Sequence, residues 1–356
     1  MSGALADDFA VRLKTRIRQH GPISVSEYMR DCNAQYYATR DPFGAAGDFI
    51  TAPEISQIFG ELIGAWCADY WQRMGAPDPV LLVELGPGRG TLMADALRAT
   101  KRVPGFHGAL KLHLVEMSPV LRHAQRQKLA DFAPQLHATI TGLPAGPILL
   151  VANEFLDALP IAQFECHAGQ MQERKIAVDG NGAALVIARE AAGEAAPDTP
   201  DGAIKEVCPT ALAFARWIAR RIARAGGTAL FIDYGYYPTA FGDTLQALRH
   251  HRPVSFLDSP GDADLTAHVD FEAIATVARG GDAQVHGPMN QSAFLVSLGI
   301  EAREAALLKY ATPAQQSAIR SGCRRLIEPA AMGTLFKVLA LTQKGGPVPA
   351  GFGAAA

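Results

Sequence analysis

An acid and three glycines at alternate positions stand out in Val80-Leu81-Leu82-Val83-Glu84-Leu85-Gly86-Pro87-Gly88-Arg89-Gly90-Thr91-Leu92. A glycine turn lets backbone approach a ligand where any side chain would hold it away. A carboxylate beside such a turn attracts a cation and repels a pyrophosphate. The dinucleotide fingerprint, Gly-x-Gly-x-x-Gly, also fits poorly, because Thr91 stands where its third glycine belongs. Glu116 ends a second apolar run, where it is placed to accept both hydroxyls of a ribose, with Ser118 close behind. Asn153, Glu154 and Asp157 end another run, among Phe155, Leu156 and Leu159. Two carboxylates in such company are costly to bury unless a cation pairs with them. A substrate guanidinium or amine meets that need; helix N-terminal amides are the ordinary alternative. His268 is a candidate base or cleft donor, although a lone histidine is more often structural. Asp48, Phe49 and Thr51 lie in a loop that feeds a helix, and are candidates to close over a ligand; an ordinary helix lead-in is the alternative.

The elements that must position these residues can be read in order. Residues 7–19 carry Phe9, Leu13 and Ile17 on one side of an amphipathic helix, and Ser24 to Glu27 offer a capping box for a second helix reaching about Cys32. Thr51-Ala52-Pro53-Glu54 reads as another capping box, starting a helix whose stripe runs Ile55, Ile58, Phe59, Leu62, Ile63, Trp66 and Tyr70. Buried strands are predicted at 80–85, 110–115, 137–141, 147–151, 227–232 and 335–342, with helices over 91–98, 118–129, 209–224 and 271–279. Asp179-Gly180-Asn181-Gly182 is a hairpin signal, and 190–202 reads as a surface loop. The arrangement expected is an N-terminal helical segment and lid over 1–76, a core over 77–343 with a β-rich insertion at about 162–206, and a flexible tail over 344–356.

The 356 residues carry a formal net charge of −2 and are 49% hydrophobic, which suits a packed core and argues against a nucleic-acid protein relying on bulk positive charge. The five cysteines form no Cys-x-x-Cys pair, so no structural metal is expected and a reducing compartment is. No apolar run approaches a membrane span. The N-terminus lacks a signal-peptide core, and Asp7 and Asp8 interrupt its basic stretch, which argues against a transit peptide.

The set Glu84-x-Gly86-x-Gly88-x-Gly90 resembles motif I of class I S-adenosylmethionine methyltransferases, whose ligand carries an α-ammonium and a sulfonium. A dinucleotide site and an unliganded turn stand as alternatives at this point. The wider chain resembles the MidA family through Gly47 to Ser56, Glu84 to Gly90, Asn153 to Pro160, Asp233-Tyr234-Gly235, Asp262 to Phe271 and Met332 to Lys337, in order and over nearly its whole length. That resemblance implies an α/β class I methyltransferase fold, a Rossmann-like sheet with helices on both faces, binding S-adenosyl-L-methionine. It implies transfer to an arginine of a protein partner; mitochondrial members assist assembly of respiratory complex I. The cofactor set expected is Asp48, Phe49, Thr51, Glu84, Gly86, Gly88, Gly90, Glu116, Ser118 and Asn153, and the catalytic set Glu154, Asp157 and His268. The absence of a convincing transit peptide leads to the expectation of a bacterial, cytoplasmic member. A small-molecule methyltransferase and a weakly active assembly chaperone are the competing readings. The sequence leaves the oligomeric state open.

Overall fold

The structure, a computed structural model, describes residues 2–39, 50–249 and 251–353. The chain divides into two compact units. The larger comprises residues 50–156, 214–237 and 271–356. Seven strands of its sheet are β1 (Val80–Leu85), β2 (Leu110–Val115), β3 (Gln135–His137), β4 (Ile148–Asn153), β5 (Gly227–Tyr236), β6 (Ala283–Asn290) and β7 (Phe336–Gln343). They lie in the order β3-β2-β1-β4-β5-β7-β6. Neighbours from β3 to β5 pair in parallel, and β7 runs antiparallel to both β5 and β6. The order reverses direction at β1. The chain runs outward from β1 to β3, returns to the other side of β1 at β4 and runs outward again to β5; since parallel connections are right-handed, the two halves put their helices on opposite faces and a crevice opens at the carboxyl ends of β1 and β4.

Every residue of β1 and of β4 is buried, which is why both read as unbroken apolar runs. The connecting helices include α1 (Gln57–Arg73), α2 (Thr91–Thr100), α3 (Pro119–Lys128) and α4 (Phe271–Arg279). The predicted stripe of α1 packs as expected: Ile58, Phe59, Ile63, Trp66 and Tyr70 are buried with Leu82, Leu92 and Val151 in one core. Gly60 and Gly64 let α1 approach α2, since a Cβ on Gly64 would lie 2.5 Å from the Cα of Ala96.

The second unit gathers residues 1–49, 157–213 and 238–270. Its sheet sets Ala162–His167 between Gln170–Val178 and Ile204–Val207, with Ile23–Ser24 and Leu185–Ala195 also paired to Gln170–Val178. The predicted hairpin is present, closed by an Asp179 N–H donating 3.0 Å to the Ala184 carbonyl. The helices Ser2–His20 and Val25–Thr39 belong to this unit because Leu13, Ile17, Tyr28, Met29 and Cys32 share one core with Ile176, Leu185, Leu245 and Leu265. The N-terminal segment and the insertion therefore form one body, and residues 50–76 fall in the larger unit instead.

Several element boundaries need correction. The Ser24 capping box exists, with Glu27 N–H donating 3.1 Å to Ser24 Oγ, but the helix continues to Thr39. Thr51 makes no side-chain cap; Ala52–Ile55 is a single turn, and Ser56 caps α1 by accepting the Ile58 N–H. The third strand is Gln135–His137, because residues 140–142 turn as a 3-10 helix. Residues 190–195, read as loop, extend the hairpin strand. The tail is docked through residue 352: the Ala350 carbonyl accepts the Trp66 indole N–H at 3.0 Å, and Phe352 packs against Phe294.

Candidate functional site

The glycine turn follows β1 directly. Gly86, Gly88 and Gly90 all take left-handed φ, at 58°, 52° and 75°, so the alternation of glycine is a backbone requirement at each position. The Gly86 N–H donates to the Val115 carbonyl at 2.9 Å and the Gly90 N–H to the Pro87 carbonyl at 2.7 Å, fixing the turn to the end of β2 and to itself. Gly90 then caps α2. The Gly88 carbonyl accepts from Nε2 of Gln125 at 2.6 Å, a fully buried side chain of α3.

Glu84 is 3% exposed, and its Oε2 is buried without a hydrogen-bond partner. Burial, the Glu116 carboxylate and, in opposition, the Lys128 ammonium set its carboxyl up to about 8. An isolated buried carboxylate is expensive unless something cationic meets it. Glu116 ends β2 one unit along. Its carboxyl is raised by burial, against the amides of Ser118 and Met117, and Oε1 accepts the Ser118 N–H at 2.8 Å. Ser118 caps α3, its Oγ accepting the Leu121 N–H.

At the end of β4, Asn153 is buried and its Oδ1 lacks a partner. Its Nδ2 donates to Glu154 Oε1 at 3.1 Å, and the Ala52 N–H donates to the same oxygen at 2.9 Å. Glu154 takes φ of 49°, a left-handed conformation that costs a non-glycine residue about 1–2 kcal/mol. Asp233, in β5 one residue past its pairing with β4, anchors the two residues after Glu154: its Oδ2 accepts the N–H groups of Phe155 at 3.1 Å and Leu156 at 2.9 Å. Phe155 in turn closes over the glycine turn, for a Cβ on Gly86 would lie 3.0 Å from its ring. On the other side, Thr91 Oγ1 donates to Glu54 Oε1 at 2.6 Å and accepts from Lys128 Nζ at 2.7 Å.

The structure thus gathers Glu84, Gly86, Gly88, Gly90, Glu116, Ser118, Asn153 and Glu154 around the ends of β1, β2 and β4. Thr51 stands immediately before Ala52, whose amide meets Glu154. Asp48 and Phe49 lie outside the described residues. Asp157 and His268 belong to the second unit. There Asp157 is buried and its carbonyl accepts the Ala267 N–H at 3.0 Å; burial and the carboxylates of Asp264 and Asp157 raise the Tyr37 hydroxyl. The backbone N–H of His268, which is half-buried, donates to Thr244 Oγ1 at 2.9 Å. Four residues escaped the sequence reading as site residues: Glu54, Gln125, Lys128 and Asp233. Asp233 carried the same signal as Glu116, an acid ending an apolar strand; the others reach the site from helix positions with no such mark.

The residues present fit S-adenosylmethionine. The orphaned oxygens of Glu84 and Asn153 are suited to an α-ammonium, the glycine turn presents backbone without side chains, and the Glu116 carboxylate offers acceptors suited to ribose hydroxyls. Among the described residues no cluster of side chains suits a metal ion, and no helix is long and apolar enough to cross a membrane.

Residues 62–289 match a family of S-adenosyl-L-methionine-dependent methyltransferases. The protein arginine methyltransferase NDUFAF7 homolog, mitochondrial, of Drosophila melanogaster is 38% identical over 369 residues, covering 93% of this chain and 84% of that protein. The human mitochondrial protein arginine methyltransferase NDUFAF7 is 35% identical, covering 92% and 82%. A crystal structure of a Burkholderia thailandensis protein bound to S-adenosylhomocysteine superposes with a TM-score of 0.86 at 28% identity, over 100% of this chain and 96% of that one. The curated relatives are mitochondrial proteins of animals, which overturns the expectation of a bacterial cytoplasmic protein drawn from the N-terminus.

Proposed function

The chain belongs to the S-adenosyl-L-methionine-dependent methyltransferase family that it matches, and from that premise we propose that it methylates an arginine side chain of a protein. The observation that carries this reading is the likeness to protein arginine methyltransferases along nearly the whole chain. The acceptor end of the sheet agrees with it, since it places a carboxylate, Glu154, beside the cofactor end. We propose a subunit of respiratory complex I as the class of target, on the MidA resemblance.

S-adenosylmethionine supplies a methyl group on a sulfonium, for in-line displacement by a nitrogen, so positioning carries much of the rate. Glu84 loses its proton to meet the α-ammonium. Glu116 takes the ribose hydroxyls. The glycine turn supplies backbone at close range. Glu154 holds the guanidinium, which is planar and cationic at rest, and draws its charge away from the attacking nitrogen. As the N–C bond forms the S–C bond breaks, S-adenosylhomocysteine leaves as the neutral thioether, and the methylated nitrogen gives up one proton to solvent. Its Oε1 is already oriented by Asn153 and by the Ala52 amide, so the carboxylate costs little reorganisation at the moment of transfer.

The test is methyl transfer from labelled S-adenosylmethionine to an extract of cells that lack this protein, followed by acid hydrolysis and amino-acid analysis. Label in methylated arginine supports the reading. Label confined to small molecules, or to another amino acid, overturns it.

A further inference from the structure

We propose that Asp233 is a positioning residue of the acceptor site, acting through the backbone of the turn that carries Glu154. This role deepens the arginine reading and rests on it for its catalytic part.

Asp233 is 1% exposed, the last residue of the unbroken buried run that opens β5. Its neighbour Ile232 pairs with Asn153 in the parallel register of β5 and β4, and the Ile232 carbonyl accepts the Glu154 N–H at 2.9 Å. The ladder therefore continues one residue into a position whose φ of 49° disfavours any side chain with a Cβ. Beyond it, ladder pairing stops and the Asp233 carboxylate takes over. Oδ2 collects the next two amides, Phe155 and Leu156, and Oδ1 accepts the N–H of Tyr234 at 3.0 Å. Two amides converging on one carboxylate oxygen define a tight turn, and that turn holds Glu154 in the left-handed conformation. In this conformation Glu154 Oε1 meets Asn153 Nδ2 and the Ala52 amide. Loss of the Asp233 carboxylate frees the turn to relax toward the right-handed or extended backbone a glutamate prefers, which withdraws its carboxylate from both partners.

Asparagine is a sharp probe at this position. Its single carbonyl oxygen can serve the Phe155 and Leu156 amides or the Tyr234 amide, and its NH2 then faces a donor at the other place. Glycine at position 154 is the complementary probe, because it takes left-handed φ without strain and needs no hold.

The experiment is a double-mutant cycle on the full chain, read by thermal midpoint and by steady-state kinetics. D233N is expected to lower the midpoint by more than about 5 °C in the wild-type background, and by less than about half as much in the Glu154→Gly background. An equal loss in both backgrounds overturns the proposal, as does insolubility of both D233N and the D233N/E154G pair. Insolubility of D233N alone, relieved by E154G, supports it. In the kinetic arm, D233N lowers kcat for the protein acceptor more than about tenfold, with KM for S-adenosylmethionine within about threefold. In the Glu154→Gln background the same change costs less than about twofold more. A KM that rises as far as kcat falls, or full additivity with E154Q, would place Asp233 in general core stability and overturn the proposal. Should the wild-type protein label no arginine, the kinetic arm fails with that reading, while the stability cycle still decides whether Asp233 holds Glu154.

Discussion

Glu84 and Glu154 end adjacent strands, β1 and β4, yet the two acids are held by different means. Glu84 lies at the last but one position of its strand, 3% exposed, with one oxygen unpartnered and a carboxyl raised to about 8. It is poised and incomplete without a cation. Glu154 is half-buried, strained at φ of 49°, and engaged on Oε1 by Ala52 and Asn153. It is pre-oriented by the protein itself. On the roles proposed for them, Glu84 belongs to an end that ligand charge completes, and Glu154 to one whose geometry stands ready before the acceptor arrives. That is a sensible division where binding favours one end and in-line alignment the other.

The comparison breaks most readily at the glycine turn. Gly88 takes φ of 52°, so Gly88→Val forces a branched side chain into a left-handed position and into the space for the ligand's amino-acid end. S-adenosylmethionine affinity should fall by more than about 100-fold, with the thermal midpoint down by only a few degrees. Near-normal affinity in calorimetry would move the cofactor site elsewhere. Glu154→Gln should be the counterpart at the acceptor end. It keeps shape and an acceptor oxygen for the Ala52 amide while removing charge, and filter-bound label transferred to protein should drop by about 100-fold or more. Robust labelling would free Glu154 of any acceptor role.

The pH dependence sharpens the contrast, because it belongs to Glu84. Its carboxyl rises from 4.5 to about 8, so the folded ligand-free protein keeps a proton that the unfolded chain has lost. The folded state then binds more protons than the unfolded one across this window. That contribution to stability is intact below about pH 4.5 and declines as pH rises toward 8, by up to about 1.4 kcal/mol per pH unit. Glu84→Gln should therefore gain midpoint on ligand-free wild type between pH 5 and 8. At pH 7, calorimetry in buffers of different ionisation enthalpy should show proton release on S-adenosylmethionine binding, absent in Glu84→Gln. A flat difference between the two proteins across that range would leave Glu84 ionised from the start. A smaller effect is expected at Glu116→Ala, which should weaken S-adenosylmethionine by about tenfold and methionine hardly at all. Equal losses would reject the ribose role.

The same division explains what the sequence made legible. The cofactor end depends on residues contiguous in the chain: an apolar strand, an acid, glycines where φ must be positive, then a helix. β1, β2 and the start of α2 stand where the pattern of residues put them, and Glu116 falls at the end of its strand as expected. The acceptor end is assembled by contacts between distant segments. Ala52 reaches Glu154 across 102 positions and Asp233 reaches Phe155 across 78, and neither contact leaves a local periodic trace. The capping reading at Thr51 erred for the same reason. A Thr-Ala-Pro-Glu run has the local form of a capping box, but Glu54 instead accepts from Thr91, and the continuous helix starts only after Ser56. The sequence joined the N-terminal helices to residues 50–76 because apolar faces carry no label saying which core they enter; Leu13, Tyr28 and Met29 pack with Ile176 and Leu265 of the second unit.

Titration of S-adenosylhomocysteine into two variants, Glu84→Gln and Glu154→Gln, tests the division of labour most directly. Neither substitution changes side-chain size; Glu154→Gln removes a charge, and Glu84→Gln removes a carboxyl that can give up its proton to meet the ligand. Affinity in Glu154→Gln should stay within about threefold of wild type, and affinity in Glu84→Gln should fall by more than about tenfold, as expected for losing one charge-assisted contact. Equal losses in the two variants, or the larger loss at Glu154, would contradict the account.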